Sequence, residues 1–323
     1  MGELLSQRAS DNFMTYRIGM IGVGPMAALH AAAIRNVPDL RLAACAARSL
    51  GRAQAFAATW NVPRATTVDE LVASPDVDAL WVVAPADAMA EVATKASRAG
   101  LPLFLEKPVG LDLAETEAAA STVGVPNLVG LNRRFYEVLQ RGAEIVAEAG
   151  GLRFIEVHMP EDLRPLEGRY RGKALSNWQY GNSIHLIDLF RYFGGEVKRV
   201  TAQPEVGDYW DRSYVAMIEF ENGARGIYNA QWYAPGPWRV SLYANNVMIQ
   251  YAPLEKGLVI RSPGRQQSTI EPSGPDKDLK PGLGGQAQAF AHLLRTGTLP
   301  EGASDLKGYA RSVALVRALT EVA

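Results

Sequence analysis

The stretch Arg17-Ile18-Gly19-Met20-Ile21-Gly22-Val23-Gly24-Pro25-Met26-Ala27 decides the fold of this 323-residue chain. Its first residues predict a short apolar strand, and the alanine-rich segment Ala28 to Arg35 predicts a helix. A glycine turn between a strand and a helix is the setting of the dinucleotide-binding fingerprint. In that fingerprint Gly22 permits the tight turn and Gly24 lets the backbone approach a pyrophosphate. Ala27 replaces the third glycine, where the helix packs on the strand.

The start of the predicted helix would present free backbone N–H groups to the phosphates of a dinucleotide. We therefore predict a cofactor site that contains Gly22, Gly24, Pro25 and Met26. Pro85 follows the buried-type strand Asp78 to Val83, and we predict that it belongs to the same site. The alternative is a glycine turn in an unrelated α/β protein.

The end of the next strand bears on which cofactor is bound. Leu40 to Ala46 is followed by Ala47-Arg48-Ser49, without the acid that would bind the ribose 2′-hydroxyl of NAD. An arginine beside a hydroxyl suits a 2′-phosphate, because Arg can donate several hydrogen bonds to it. Arg48 and Ser49 are therefore predicted cofactor contacts, and NADP is favoured over NAD. The alternative is a solvated loop charge with loose cofactor selectivity.

Another strand end carries the residues Glu106-Lys107-Pro108, directly after the apolar segment Leu101 to Leu105. Ligands of an open parallel sheet collect beyond the carboxyl ends of its strands, so Lys107 would face both cofactor and substrate. Pro108 disfavours the helical region for Lys107, which places the ammonium on a defined backbone. We predict that Glu106 and Lys107 contact the cofactor. The alternative for Lys107 is an ordinary surface lysine.

The order of predicted elements indicates two domains. Strand and helix alternate along residues 17–132, which predicts an α/β Rossmann domain with a parallel, doubly wound sheet. Residues 133–323 predict an α+β domain with an open, mostly antiparallel sheet, closed by two helices. Within it, Pro263 to Gly285 is predicted to be a loop. The polar residues 1–16 are predicted to be a flexible arm rather than a signal peptide.

The overall composition limits the classes of function. Hydrophobic residues make up 48% of the chain and charged residues 21%, which predicts a soluble globular protein. A net charge of −1 gives no overall attraction to nucleic acid or to a membrane, and no apolar run is long enough to span a bilayer. The single cysteine, Cys45, argues against a disulfide and a multi-cysteine metal site. It fits a reducing, cytoplasmic location.

Four segments form a further pattern: Gly22 to Ala27, Glu106-Lys107-Pro108, Gly130-Leu131-Asn132-Arg133-Arg134-Phe135, and His185-Leu186-Ile187-Asp188. In order and spacing they resemble the glucose-fructose oxidoreductase / inositol dehydrogenase (Gfo/Idh/MocA) family over nearly the whole chain. The resemblance implies a nicotinamide cofactor on the first domain. It also implies a sugar, cyclitol or nucleotide-sugar substrate on the open sheet of the second, and a homodimer or homotetramer formed through that sheet.

The resemblance also implies two catalytic residues. Lys107 would contact both the cofactor and the reacting hydroxyl, and His185 would be the acid or base. This agrees with the chemistry, because a neutral histidine titrating near the working pH can accept a hydroxyl proton while hydride leaves the carbon. Lys107 would stabilise the developing alkoxide. The alternative for His185 is a structural histidine bonded to Asp188, one helical turn away.

One departure from the family pattern concerns the residue four positions before the histidine. The family often has Asp there, whereas this chain has Gly181, with Asn182 one residue off. Two interpretations remain open: an oxidoreductase that relies on Lys107 and His185, or a divergent, non-catalytic sensor or scaffold that binds cofactor or sugar. The predicted substrate contacts are Arg134, Tyr170, Trp178 and Asn182. The alternative for the Tyr170 region is a solvated loop with a packed Trp178.

Overall fold

The computed structural model describes residues 15–166, 172–203 and 211–321. Its first sheet has six parallel strands in the order β3-β2-β1-β4-β5-β6. These are β1 (Tyr16–Ile21), β2 (Leu40–Ala46), β3 (Arg64–Thr66), β4 (Ala79–Val82), β5 (Leu103–Leu105) and β6 (Asn127–Val129). The prediction of a doubly wound parallel sheet is confirmed. The strand order reverses between β1 and β4, where such a sheet opens a crevice at its carboxyl edge.

Helices connect these strands and cover both faces of the sheet. They are α1 (Pro25–Arg35), α2 (Leu50–Trp60), α3 (Val68–Val72), α4 (Met89–Ser97) and α5 (Leu113–Thr122). All residues of β4 and β5 are buried, as expected for strands covered on both faces. Of the predicted arm, residues 1–14 lie outside the described part of the chain, and Tyr16 begins β1.

The second sheet has eight strands in the order β14-β13-β12-β11-β7-β10-β9-β8. They are β7 (Phe154–Pro160), β8 (Val197–Ala202), β9 (Ser213–Phe220), β10 (Arg225–Gln231), β11 (Arg239–Ala244), β12 (Val247–Tyr251), β13 (Gly257–Arg261) and β14 (Gln266–Ile270). β7 and β10 pair in parallel and the other neighbours are antiparallel, which confirms the mostly antiparallel prediction.

The prediction of a loop over Pro263 to Gly285 is wrong in part. β14 lies inside that segment as an edge strand, and four of its five residues are exposed. Its sequence Gln-Gln-Ser-Thr-Ile lacks the alternation of apolar and polar residues that marks a half-buried strand. β14 pairs with β13 through backbone hydrogen bonds, which the order of its side chains does not reveal.

The remaining helices are α6 (Glu137–Glu148), α7 (Lys173–Ser176), α8 (Ile184–Gly194), α9 (Leu283–Thr296) and α10 (Leu306–Thr320). α6 and α8 cover one face of the second sheet, and α10 packs against α5 and α8. α9 returns to the first sheet, where the ring of Phe290 packs edge-on against Trp81 at 5.3 Å. The proposed domain limits, 17–132 and 133–323, remain a prediction, and α9 joins the core of the first sheet to the end of the chain.

Candidate active site

The glycine turn after β1 is closed on one side and open on the other. Gly22 has φ +105°, and an added Cβ would lie 2.0 Å from the carbonyl oxygen of Val83, so no other residue fits. At Gly24 an added Cβ would meet no atom of the described chain within 4 Å. Ala27 is fully buried where α1 packs on the sheet. The turn therefore has room for a ligand above Gly24, as a pyrophosphate site requires.

The beginning of α1 offers unpaired backbone donors at this turn. Gly24 is the N-cap and provides no side-chain hydrogen bond, and Pro25 is the first helical residue. The N–H groups of the first turn are therefore free to bind phosphate. Lys280 lies beside them, with its Nζ 3.8 Å from the Sδ of Met26. Sequence reasoning missed Lys280, because it occurs in the segment that we predicted to be a loop.

The end of β2 presents the two residues predicted to select the cofactor. Arg48 and Ser49 are both exposed. Ser49 is the N-cap of α2, yet its side chain makes no capping hydrogen bond. Pro85, at the end of β4, is also exposed. All three lie at the carboxyl edge of the first sheet, where the glycine turn also lies.

Lys107 links the first sheet to the segment before α8. Its Nζ donates a hydrogen bond to the carbonyl oxygen of Gly181 at 2.8 Å. Burial lowers the pKa of Lys107 to about 8, against the opposing effect of the Glu106 carboxylate, and the positive charges of Arg133 and Lys280 lower it further. Lys107 is half-buried and makes this contact, so it differs from the ordinary surface lysine that was the alternative interpretation.

Glu106 points into the protein and not into the cleft. It is buried, and its Oε2 lies 2.9 Å from Nε2 of His30 on α1. The His30 ring packs against Trp81 and Phe104, with centroids 5.4 and 5.2 Å away. The structure therefore does not support the predicted cofactor contact for the Glu106 side chain, which anchors the strand end that carries Lys107. Sequence reasoning missed His30. In the sequence it is a single histidine without a motif around it, and it lies on the buried face of α1.

His185 lies on α8 and is 6% exposed. Burial lowers its pKa well below 6.5, and the positive charges of Arg133, Lys107 and Lys280 lower it further. The expectation that His185 titrates near the working pH is therefore wrong, because three cations and burial disfavour its charged form. The imidazole is neutral at pH 7. Its Nδ1 is buried and has no hydrogen-bond partner among the described residues.

Asp188 does not bind His185, which removes the structural alternative for that histidine. Its carboxylate accepts two hydrogen bonds from Arg134, at 2.7 and 2.8 Å, and one from Ser312 at 2.7 Å. Arg134 also donates to the carbonyl oxygen of Gly302 at 3.0 Å. Because the Arg134 guanidinium is buried and bonded within the protein, the prediction that it binds substrate is corrected.

Arg133, the residue before Arg134, lies in a different environment. The segment Asn132–Phe135 forms a 3₁₀ turn, so neighbouring side chains point in different directions. The Arg133 guanidinium lies over the rings of Tyr136 and Trp238, 5.6 and 5.8 Å from their centroids. Burial lowers its pKa, and its charge acts on both Lys107 and His185. Arg133 was part of the motif in the sequence but had no assigned role.

A π-helical turn, Gln179–Ser183, precedes α8 and contains Gly181 and Asn182. Because the α-helical register does not hold through a π turn, the spacing of four residues does not place Gly181 and His185 on one face. Asn182 Nδ2 donates to both carboxylate oxygens of Glu161, at 3.2 and 3.3 Å. The indole N–H of Trp178 donates to the same carboxylate at 3.0 Å.

Two of the predicted substrate residues, Trp178 and Asn182, therefore converge on one carboxylate. Glu161 follows β7 directly, and its backbone N–H bonds the carbonyl oxygen of Gln231 at the end of β10. Sequence reasoning missed Glu161, because a single acid at the start of a polar loop carries no pattern. Tyr170 lies outside the described residues. No cluster of three or more metal-binding side chains occurs in the part of the chain that the structure describes.

Two protein-family models match this chain. Residues 16–124 match the family described as an oxidoreductase family with an NAD-binding Rossmann fold, and residues 144–250 match the GFO/IDH/MocA C-terminal domain. The chain belongs to the Gfo/Idh/MocA family. A nicotinamide cofactor site on the first sheet is a property of that family.

Relatives in this family include inositol dehydrogenases. Inositol 2-dehydrogenase of Rhizobium meliloti is 34% identical over 125 residues, which is 38% of each chain. The NAD(+)-dependent scyllo-inositol 2-dehydrogenase of Bacillus subtilis is 26% identical over 310 residues, 88% of this chain and 87% of that enzyme. The match to the Rhizobium meliloti enzyme thus spans well under two thirds of either chain, and the substrate of this Gfo/Idh/MocA member is a matter for proposal.

Solved structures show the same fold across the chain. A dehydrogenase from Chromobacterium violaceum has a TM-score of 0.81 at 20% identity and covers 94% of both chains. UDP-N-acetylglucosamine 3-dehydrogenase from Acidithiobacillus ferrooxidans has a TM-score of 0.76 at 21% identity, over 95% of this chain and 97% of that one.

Among the described residues of this family member, no helix is both long and apolar enough to cross a bilayer.

Proposed function

We propose that this protein transfers hydride between a nicotinamide cofactor and a secondary hydroxyl or keto carbon of a sugar, cyclitol or nucleotide-sugar. The observation that carries the proposal is the position of Lys107. It is a lysine with a pKa near 8, at the carboxyl edge of the nucleotide-binding sheet, bonded to the segment that leads into His185. Inositol dehydrogenases among the relatives support a polyhydroxy substrate.

Each residue has a distinct task in this proposal. In the oxidation direction, neutral Lys107 accepts the hydroxyl proton, and its carbonyl partner at Gly181 holds the amine in place. His185 remains neutral and hydrogen-bonds the substrate oxygen. The cofactor, when bound, provides the hydride acceptor. The glycine turn and the start of α1 hold its phosphates, and Lys280 and Arg133 add positive charge at this edge.

Turnover by the purified protein tests this proposal. The protein is mixed with NAD⁺ or NADP⁺ and with myo-inositol, scyllo-inositol, D-glucose or UDP-N-acetylglucosamine, and reduced nicotinamide is measured by absorbance. We expect reduced nicotinamide with at least one of these compounds. Cofactor binding without turnover of any of them would favour a non-catalytic sensor or scaffold. The observation that favours a sensor or scaffold is that position 181 is glycine and carries no carboxylate.

We further propose that NADP is preferred to NAD, on the basis of Arg48. Its exposed side chain forms no ion pair or hydrogen bond with other described residues, so it is available to a 2′-phosphate. Replacing Arg48 by Ala is expected to weaken NADPH binding by about 10- to 100-fold, because a hydrogen-bonded charge contributes about 1.5–3 kcal/mol. The affinity for NADH should stay nearly constant. Fluorescence titration measures both, and an equal loss for NADPH and NADH would refute the assignment.

The outer face of the second sheet supports a proposal of self-association. Val215 and Met217 on β9 are 45% and 53% exposed, on the face opposite α6 and α8. Exposed apolar side chains on one face of a sheet can mark an interface. We propose that a second copy of the chain covers it, in a homodimer or homotetramer. Light scattering that gives a monomer mass at micromolar concentration would contradict this.

A further inference from the structure

Gly181 leaves a gap where another residue would have its side chain. An added Cβ at this position would meet no atom within 4 Å in the described part of the chain. Its φ is not positive, so the backbone does not require glycine here. The carbonyl oxygen of the same residue binds Lys107. The gap therefore belongs to the same residue whose carbonyl oxygen holds the Lys107 amine.

Glu161 is the carboxylate held near this gap. Asn182, the residue after Gly181, donates to both of its oxygens, and Trp178 donates to Oε2. An ionised carboxylate can accept about four hydrogen bonds, and these contacts use three. Glu161 therefore keeps capacity to accept at least one more donor.

The charge of Glu161 is not neutralised by an ion pair with any other described residue, although the side chain is half-buried. Burial raises the pKa of Glu161, and the hydrogen bonds from Trp178 and Asn182 oppose that rise. A half-buried carboxylate is costly unless hydrogen bonds replace its lost water, and the two described donors leave part of its accepting capacity open. This points to a role in binding a ligand.

We propose that Glu161 accepts a hydrogen bond from a hydroxyl group of the substrate at the Gly181 gap. It would thereby supply, from the end of β7, the carboxylate that position 181 lacks. The class of ligand is a polyhydroxy compound, a sugar or cyclitol, with a second free hydroxyl besides the reacting one. A carboxylate or phosphate at that place on the substrate would be repelled. This inference rests on the proposed dehydrogenase function.

The substitution Glu161→Gln tests this role. Gln keeps the size of the side chain and an oxygen that can accept from Trp178, so the fold should be retained. We expect KM for the best substrate among myo-inositol, scyllo-inositol and D-glucose to rise about 10- to 100-fold, because a charged hydrogen bond is weakened. The change in kcat should be smaller. The affinity for the cofactor and the Tm should match those of the wild type.

The neighbouring carboxylate provides a matched control. Asp162 pairs with Arg164, an exposed residue, so Asp162→Asn should leave KM unchanged. The double variant E161Q/G181D restores a carboxylate across the gap, where space is available, and should recover part of the lost affinity. A purely structural role of Glu161 would lower the Tm of E161Q, and G181D would not reverse that.

Failure of the role proposed for Glu161 can be distinguished from failure of the proposed dehydrogenase function. If the wild type oxidises one of these polyols and E161Q has an unchanged KM, the role of Glu161 is overturned and the dehydrogenase proposal stands. If the wild type binds cofactor but oxidises none of them, the proposed function fails, and the role of Glu161 fails with it.

Discussion

Replacing Lys107 by Met should reduce turnover by about 10³-fold, because general acid–base catalysis alone contributes about 10²- to 10⁴-fold. The variant loses the amine that accepts the hydroxyl proton and the charge that stabilises the alkoxide in the cleft. Met keeps most of the length of the side chain, and the Glu106–His30 contact beneath the strand end is untouched. The affinity for the cofactor should therefore change much less than kcat. Steady-state kinetics and a fluorescence titration with NADPH measure the two effects.

A second lysine of the same sheet domain is the control for this variant. Lys95 on α4 forms an ion pair with Asp69 at 2.6 Å on the surface. Such a pair contributes about 0–1 kcal/mol, so Lys95→Met should keep the kcat of the wild type. A Lys107→Met variant with most of its kcat would show that another group carries the proton.

Replacing Gly22 by Ala should abolish cofactor binding and lower the free energy of unfolding by about 2–5 kcal/mol. A left-handed backbone costs a residue with a side chain about 1–2 kcal/mol, and an overpacked core costs about 1–3 kcal/mol more. Here the added methyl would lie 2.0 Å from the backbone oxygen of Val83, and backbone is less able to move aside than a side chain. β1 and the end of β4 would separate, and the crevice between them would change shape. Urea denaturation and NADPH titration report the two losses.

Gly24→Ala separates stability from binding at the same turn. The added methyl projects into open space, so the free energy of unfolding should stay close to that of the wild type. The methyl would occupy the space over the start of α1, so NADPH affinity should still fall. A Gly22→Ala variant with the stability of the wild type would contradict the geometry of this turn.

The sequence predicts the first sheet well because its signals are local. Apolar strands followed by a glycine turn or by Glu106-Lys107-Pro108 depend on neighbours in the chain, and so does the capping box of Thr67 and Glu70 that begins α3. β14 was missed because the backbone of its partner, β13, defines it. Its own side chains are polar and exposed. Edge strands of this kind have little periodicity to detect.

The site is harder to predict, because several of its residues come from distant parts of the chain. Lys280 and Glu161 occur in segments with no motif, and only the fold brings Lys280 near Lys107 and Glu161 into contact with Asn182. The choice between Arg133 and Arg134 depended on the local turn, which sends one guanidinium to Asp188 and leaves the other over Trp238. The pKa of His185 depends on burial and on three cations. The spacing of residues in the sequence shows neither the burial of His185 nor the positions of these cations.

The pH dependence of kcat tests the central claim most directly, namely that Lys107 and not His185 exchanges the proton. Lys107 has a pKa of about 8 and must be neutral to act as a base, so oxidation should accelerate as the pH rises through about 8 and then level off. Reduction needs the ammonium form and should slow over the same range. His185 stays neutral throughout, because its pKa lies well below 6.5. A profile that changes only below about 6.5, with no change near 8, would contradict the claim and assign the proton to His185.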